Sequence, residues 1–344
     1  MNGFKHINTV VERRHLRLMA ALAGIAAGIT LSAGLSTAQA DTVLFQDLFN
    51  NNNPENVNGE SPNYWNYQDA TPGGYGTYSI NESGGSGPPN PTPGTLTMTA
   101  TNTNDTQAAM GLNSAKLQDY NFFTGPVTFS ASGLSITGSP AADNGNLYFG
   151  VLSKATSTAY NQATSDRATI RLRGDGDFSF GIGYGSGAQP GSAAYFGLVN
   201  LGTPNITGLA MTLDASSWAA NQATGTLTYN LSFTYSGTDS LDSNHDGVIS
   251  SADTGFSELS GSLSNSASTS FLDQWLTDNG VGITTADALA AIAMQNRAVG
   301  TSGQSSTVSM NTVTVTAVPE PATLGLMAVA GAGLLLVGRK RKQA

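Results

Sequence analysis

The chain contains no cysteine among its 344 residues. Disulfide bonds and thiolate metal sites are therefore excluded, so a folded domain must be stabilised by its core or by another kind of metal site. Histidine is nearly as scarce, and only His245 lies outside the first 40 residues. A Ser-His-Asp triad would have to use that one residue, and a zinc site built from several histidines is excluded by their number.

Basic residues are scarce through most of the chain. Residues 41–317 hold 21 Asp and Glu against 6 Lys and Arg, a formal charge of −15, whereas the whole chain has −9 because its basic residues concentrate at the two ends. A surface of this charge repels nucleic acid and attracts divalent cations. The composition therefore argues against DNA or RNA as a partner.

The first 40 residues have the layout of a secretory signal peptide. An apolar stretch runs over residues 18–35, and small residues stand at Ala38 and Ala40. Four basic residues precede the stretch: Lys5, Arg13, Arg14 and Arg17. We expect export, with signal peptidase cutting before Asp41; a retained N-terminal membrane anchor is the alternative.

The last 27 residues, 318–344, consist of three parts in a fixed order. A Pro-Glu-Pro triplet comes first, then 17 uncharged residues, 322–338, and then a basic cluster. As a helix the uncharged run would span roughly 25 Å, slightly less than a hydrocarbon core of about 30 Å. The basic cluster should remain on the cytoplasmic side of the membrane. The residues of the two motifs are Pro319, Glu320 and Pro321, and Arg339, Lys340, Arg341 and Lys342.

This tail resembles the PEP-CTERM sorting signal of exported bacterial proteins. The resemblance implies that the precursor is anchored in the inner membrane through the C-terminal helix and is then recognised and cut near Pro319–Pro321 by the membrane enzyme exosortase. The product would reach the cell surface or the extracellular matrix. A plain C-terminal membrane anchor is the alternative.

Between the two ends, apolar and polar residues alternate with a period of two, which is typical of half-buried antiparallel strands. Residues 226–235 show the alternation most clearly, and within 127–136 its phase changes at Gly133, which predicts a bulge or bend. Residues 50–93 are predicted to be irregular, and 289–294 to form a strand or a short helix. Further strands are predicted over 43–49, 96–100, 147–152, 168–173, 178–182, 206–213 and 308–318.

About ten to twelve strands separated by turn signals favour an all-β fold, an antiparallel β-sandwich over residues 41–317. The segments VLFQDLF, YFGVLS, RATIRLRGDGDFSFGIG and VSMNTVTV resemble those of concanavalin A-like, or laminin G-like, jelly rolls. A different β-sandwich and a β-helix are the alternatives, although no fixed-period repeat supports the β-helix.

Residues 242–253 (DSNHDGVISSAD) place an oxygen donor at each ligand position of a twelve-residue calcium loop, with Gly247 at the sharp turn. This spacing resembles the EF-hand and dockerin loops, and an aspartate at position twelve is closer to dockerins. We predict one structural Ca²⁺ site in a loop between two strands; a solvated Asp/Asn turn without metal is the alternative. The predicted ligands are Asp242, Asn244, Asp246, the carbonyl of Val248, Ser250 and Asp253.

Candidate catalytic groups are few. The acidic residues lack the E-x-D-x-x-E cluster of active jelly-roll glycosidases, and Asp175 and Asp177 stand in a Gly-rich turn. We therefore predict a non-catalytic envelope or extracellular-matrix protein. A carbohydrate-binding module for extracellular polysaccharide is the first alternative, with Tyr64, Trp65 and Tyr67 as the residues that would stack on sugars. A divergent glycoside hydrolase or lyase is the second. The same aromatic residues could instead pack at the end of the sandwich.

Overall fold

The computed structural model describes residues 41–50, 65–69, 76–87, 91–102, 107–114, 116–138, 146–154, 166–183, 194–201, 205–254, 256–299 and 302–318. Residues from Asp41 to Val318 form one compact unit. The predicted signal peptide and the tail from Pro319 onward lie outside the described residues. Within the described residues, no helix has the length and apolar character needed to cross a membrane.

Eighteen strands in the described residues form three antiparallel sheets. The back sheet has the order β1 (Thr42–Asp47), β18 (Thr312–Ala317), β6 (Val127–Ser132), β12 (Asn205–Asp214) and β13 (Thr228–Ser236), and the short strands β14 (Val248–Ile249) and β15 (Ser260–Ser262) both pair with β13. The front sheet has the order β11 (Ala194–Asn200), β10 (Asp177–Gly183), β9 (Arg167–Leu172), β8 (Leu147–Leu152), β16 (Ala291–Val299), β5 (Gln107–Ser114) and β2 (Trp65–Asp69). The third sheet has the order β3 (Gly76–Ser83), β4 (Thr95–Asn102), β17 (Ser305–Met310) and β7 (Ser135–Gly138).

The back and front sheets pack face to face through the apolar side of each strand. The ring of Phe178 on β10 lies 4.9 Å from that of Phe233 on β13, and Phe180 lies 5.0 Å from Tyr229, measured between ring centroids. Every second residue of these strands enters one continuous core, as the period-two alternation requires. The structure confirms the predicted class, an antiparallel β-sandwich.

The back and third sheets meet at a corner where two strand pairs bend together. Gly133, at φ +66°, separates β6 from β7, and Asn311 separates β17 from β18. A Cβ at Gly133 would come within 1.8 Å of the Asn311 side chain, so the bend requires glycine. The bend predicted at Gly133 is confirmed, whereas the single last strand predicted over 308–318 is wrong because Asn311 divides it.

The sequence also contains elements that its alternation did not indicate. A short helix, α1 (Ser216–Ala220), follows β12, and a longer one, α2 (Asn265–Asn279), precedes β16. The Ser264 side chain caps α2 by accepting a hydrogen bond from the N–H of Ala267. The segment 50–93, predicted to be irregular, contains β2 and β3, and within 289–294 the structure has the beginning of a strand, β16.

Candidate functional site

The predicted calcium loop lies against the edge of the back sheet. It follows β13, and its residues Val248 and Ile249 form β14, which pairs with Thr234 and Phe233 of that strand. Ile249 is fully buried, which holds the second half of the loop against the core. Positive φ angles at His245 (+59°) and Gly247 (+83°) turn the chain back towards β13.

The two acids at the ends of the loop are buried and organise its backbone. Asp242 accepts hydrogen bonds from the N–H groups of Asp246 (3.1 Å) and Gly247 (2.8 Å) and from the Tyr235 hydroxyl (2.8 Å). Asp253 accepts from the N–H groups of Ser243 and Ser250, both at 2.8 Å. Asp242 and Asp253, at loop positions one and twelve, are therefore both held in place by backbone N–H groups of the loop itself.

These hydrogen bonds also determine the charge state of Asp242. Burial by itself raises the pKa of this carboxyl, but the hydrogen bonds from Gly247, Tyr235 and Asp246 outweigh that effect and hold the pKa below its ordinary value. Asp242 is therefore ionised at neutral pH, the state that a hard cation requires of a carboxylate ligand.

The donor set of the loop fits calcium by chemistry, because all six predicted ligands offer oxygen. Asn244 and Asp246 are solvent-exposed, and Asp242 and Asp253 are 2% and 4% exposed. Within the described part of the chain no three His, Cys, Asp or Glu side chains lie close enough together to hold a metal ion. The predicted set includes only three carboxylates and depends on amide, hydroxyl and carbonyl oxygens for the rest.

Trp65, one of the three residues considered for sugar stacking, lies in the core. It is 2% exposed, its indole N–H donates to Asp47 at 2.9 Å, and its ring meets that of Phe45 edge-on at 6.0 Å. Trp65 therefore has no open ring face for a sugar, and the packing alternative describes it correctly. Tyr64 lies outside the described residues, and only the backbone of Tyr67 is described, paired with Leu112.

A buried pair of carboxyl groups lies where α2 ends beside β8 and β9. Asp278 accepts from the Ser153 hydroxyl (2.5 Å) and pairs with Lys154 (2.6 Å). Burial by itself raises the pKa of the Asp278 carboxyl, but the hydrogen bonds from Lys154 and Ser153 outweigh this effect. The pKa is therefore below its ordinary value. Burial, and next the charge of Asp278, raises the pKa of Asp166 to about 8. The carboxyl oxygens of Asp166 have no hydrogen-bond partner among the described residues.

Asp175 and Asp177 form ion pairs with the same arginine. The guanidinium of Arg173 lies 2.7 Å from Asp175 and 3.4 Å from Asp177, and the Asp175 side chain also accepts from the N–H of Asp177 at 3.2 Å. The two acids therefore stabilise the turn that enters β10.

A polar group of side chains on the front sheet was not anticipated from the sequence as a site, and four of its five residues are at most 7% exposed. The strand side that faces away from the back sheet carries Arg167 and Arg171 on β9, Tyr148 on β8, and Gln295 and Arg297 on β16. We call these five residues the arginine face. Both Arg171 and Arg297 place their guanidinium groups over the Tyr148 ring, 5.2 Å and 5.0 Å from its centroid. The alternation of Arg171 with buried Ile170 and Leu172 indicated its outward direction, but the neighbouring strands were not known from sequence.

Residues 317–342 match the family model of the PEP-CTERM protein-sorting motif. The match includes the Pro-Glu-Pro triplet and the basic cluster, so the sorting motif predicted from the sequence is confirmed. No curated protein sequence matches the chain.

Solved structures with a similar fold include lectins and a glucanase. One is the carbohydrate recognition domain of Emp47p (10% identity, TM-score 0.37, covering 82% of this chain and 99% of that one). Others are lectin I from Ulex europaeus in complex with the methyl glycoside of α-L-fucose (13%, 0.39, 81% and 98%) and endo-1,3-β-glucanase from Streptomyces sioyaensis (12%, 0.38, 83% and 100%). At these identities and scores the similarities carry no argument about function.

Proposed function

We propose that the chain is an exported, non-catalytic protein of the cell envelope or extracellular matrix, sorted and processed through its C-terminal tail. The PEP-CTERM match at residues 317–342 is the observation that carries the proposal. The signal implies an exported precursor anchored in the membrane, with exosortase as its processing partner. Removal of the first 40 residues by signal peptidase remains part of the proposal.

The way in which the fold ends supports processing in the tail. The last strand, β18, is held between β1 and β6, and its pairing finishes at Ala317. One more hydrogen bond follows, from the N–H of Val318 to the carbonyl of Pro126 at 3.0 Å. A cut near Pro319–Pro321 would therefore leave every backbone hydrogen bond of β18 in place.

Truncation after Val318 tests this proposal in the native host. We expect the protein lacking residues 319–344 to be exported and folded but no longer retained in the membrane, because the anchor is lost and the sheet is not. Fractionation of cells and medium, with limited proteolysis of the exported product, measures both properties. Continued membrane retention, or a product degraded as an unfolded chain, would contradict the proposal.

The absence of catalysis is part of the proposal and rests on the state of the acidic side chains. Asp166 is 1% exposed and the Asp278 side chain 4%, so a substrate has little access to this pair. Asp175 and Asp177 are paired with Arg173. His245 stands in the predicted calcium loop with a positive φ angle.

We also propose that the loop binds a structural Ca²⁺ through the six predicted ligands.

Carbohydrate binding is the second candidate function, and the observation that favours it is the partly exposed Arg171, whose guanidinium lies over the Tyr148 ring on the front sheet. Trp65 no longer supports this candidate because it is buried. Retention of the full-length chain on immobilised glycans tests it, and indifference to every glycan offered would count against it.

A further inference from the structure

The outer side of the third sheet is lined by short hydroxyl side chains. On β4 every second residue from Leu96 onward is buried, and the residues between them are the threonines of the segment TLTMTATN. The other strands continue this pattern, because the residues in register with these threonines across the sheet are Ser or Thr, with Asn81 as the exception. We call these outward residues of β3, β4, β17 and β7 the hydroxyl face.

The hydroxyl face is open to solvent and regular in two directions. One row runs through Ser79, Thr99, Thr307 and Thr137 on the four strands, and its outer two residues are exposed while its central two are partly exposed. Neighbours in a row are about 4.8 Å apart and successive rows about 6.7 Å apart, so the face measures about 14 Å by 20 Å. Because all its side chains are short, the face has no groove, and a ligand would lie across it.

The hydroxyl face carries no charge, although it belongs to a strongly acidic domain. Residues 41–317 hold 21 Asp and Glu, but Glu82 is the one charged residue on these four strands. It lies on the inner side of the sheet, in register with Leu96, and is 5% exposed. The net charge of the domain repels an anionic polymer, whereas an uncharged one can approach this face without that penalty. The charge distribution therefore favours an uncharged partner here.

Hydroxyl groups of this face are available to a partner. Within the described ranges, the side chains of Thr97, Thr101 and Ser309 make no hydrogen bond to another residue, and those of Thr99 and Thr307 bond each other at 3.2 Å. Each hydroxyl offers one donor and two acceptor positions, as a sugar hydroxyl does. One hydrogen bond exchanged with water contributes little, so binding requires many contacts at once, and a regular array provides them to a regular polymer.

We propose that the hydroxyl face docks on the surface of an ordered, uncharged polysaccharide. The inference rests on the carbohydrate-binding candidate and names a ligand class and a binding surface for it. An ordered polymer fits better than a soluble oligosaccharide, because the face has neither a groove nor an outward aromatic side chain that could enclose a single sugar. The face lies on a different sheet from Arg171, so the two surfaces can be tested separately.

Microcrystalline cellulose and surface-oxidised cellulose are the matched probes, because both are insoluble and share one backbone while only the second carries carboxylates. The full-length chain, in non-ionic detergent because of its apolar tail, is sedimented with either polymer in the presence of EDTA so that calcium cannot bridge protein and ligand. We expect binding to the uncharged polymer that persists as salt is raised, and weaker binding to the oxidised one. Thr97→Val combined with Thr101→Val should weaken binding about tenfold or more, because two hydrogen bonds are lost while the β-branched shape is kept.

Thr228→Val combined with Thr234→Val is the control, since it makes the same change at two exposed threonines of β13 on the back sheet. It should leave binding unchanged. Equal loss in both pairs, or equal sedimentation of the chain without cellulose, would overturn the inference. If Arg171→Gln abolishes binding and the β4 pair does not, the carbohydrate-binding candidate stands on the front sheet and the inference is wrong. Indifference to both polymers and to acidic glycans would overturn both.

Discussion

At the scale of single residues, burial assigns roles that residue type alone could not. Tryptophan suggested a sugar platform, yet Trp65 is a core residue whose N–H satisfies the buried carboxyl of Asp47. The sequence gives no sign of this pairing, because the two residues are 18 positions apart and meet only when β1 and β2 are in their sheets. Trp218 and Trp275 are both fully buried as well.

Asp166 leads to a prediction about pH. Its pKa is about 8 in the folded protein against 3.8 ordinarily, so between these values the folded state binds a proton that the unfolded state has lost. Stability should therefore fall as the pH rises from about 4 to about 8 and change no further above it. Asp166→Asn should raise the free energy of unfolding at pH 7 by up to about 4 kcal/mol and flatten this part of the profile.

Urea unfolding of the full-length chain at a series of pH values measures this effect. Asp273→Asn provides the control, because it removes one exposed carboxyl from α2, the helix that carries Asp278. A variant profile as steep as that of the unchanged protein would show that Asp166 is not the titrating group.

At the scale of elements, strands with one buried side were predictable and the helix was not. The alternation at β8, β9, β10 and β13 gave their positions within a few residues, because burial of one side imposes a period of two. In α2 the buried residues Ser268, Phe271, Leu272 and Trp275 follow a helical spacing. That spacing is present in the sequence, but the few apolar residues stand among Ser, Thr and Asn, which are weak helix formers. The segment therefore did not indicate a helix.

The pairing of the strands could not be predicted from the sequence. β16 joins β5 and β8, which are more than 130 residues away along the chain. Only this pairing brings Arg297 next to Tyr148 and Arg171. The calcium loop, by contrast, could be predicted from spacing alone, because all its predicted ligands fall within twelve consecutive residues.

The calcium loop gives a prediction at this scale. At free Ca²⁺ of about 100 times Kd, binding to the native state adds about 2.7 kcal/mol of stability, which corresponds to a rise in Tm of about 5–10 °C for a domain of this size. Asp242→Asn should remove most of the rise, because it removes a charged ligand. Asp239→Asn, which changes a nearby acid outside the ligand set, should retain it.

Differential scanning calorimetry of the full-length chain with calcium and with chelator measures both variants. The same Tm in calcium and in chelator for the unchanged protein would eliminate the metal proposal. A calcium effect of equal size in Asp242→Asn would place the ion elsewhere.

At the scale of the whole molecule, the distribution of charge and the end of the compact unit both separate the sorting segments from the folded domain. Basic residues concentrate in the two ends, while residues 41–317 carry −15. The compact unit ends at Val318, and the matched sorting motif covers residues 317–342. Folding and sorting therefore depend on almost entirely different residues, which is what a removable tail requires.

The intact mass of the protein from its native host, with and without exosortase, tests this separation most directly. When exosortase is present we expect a species that begins at Asp41 and ends near Pro319–Pro321, and when it is absent one that retains Arg339–Lys342 in the membrane. A species that keeps the basic cluster in the presence of exosortase would show that the tail is a permanent anchor and not a removable signal.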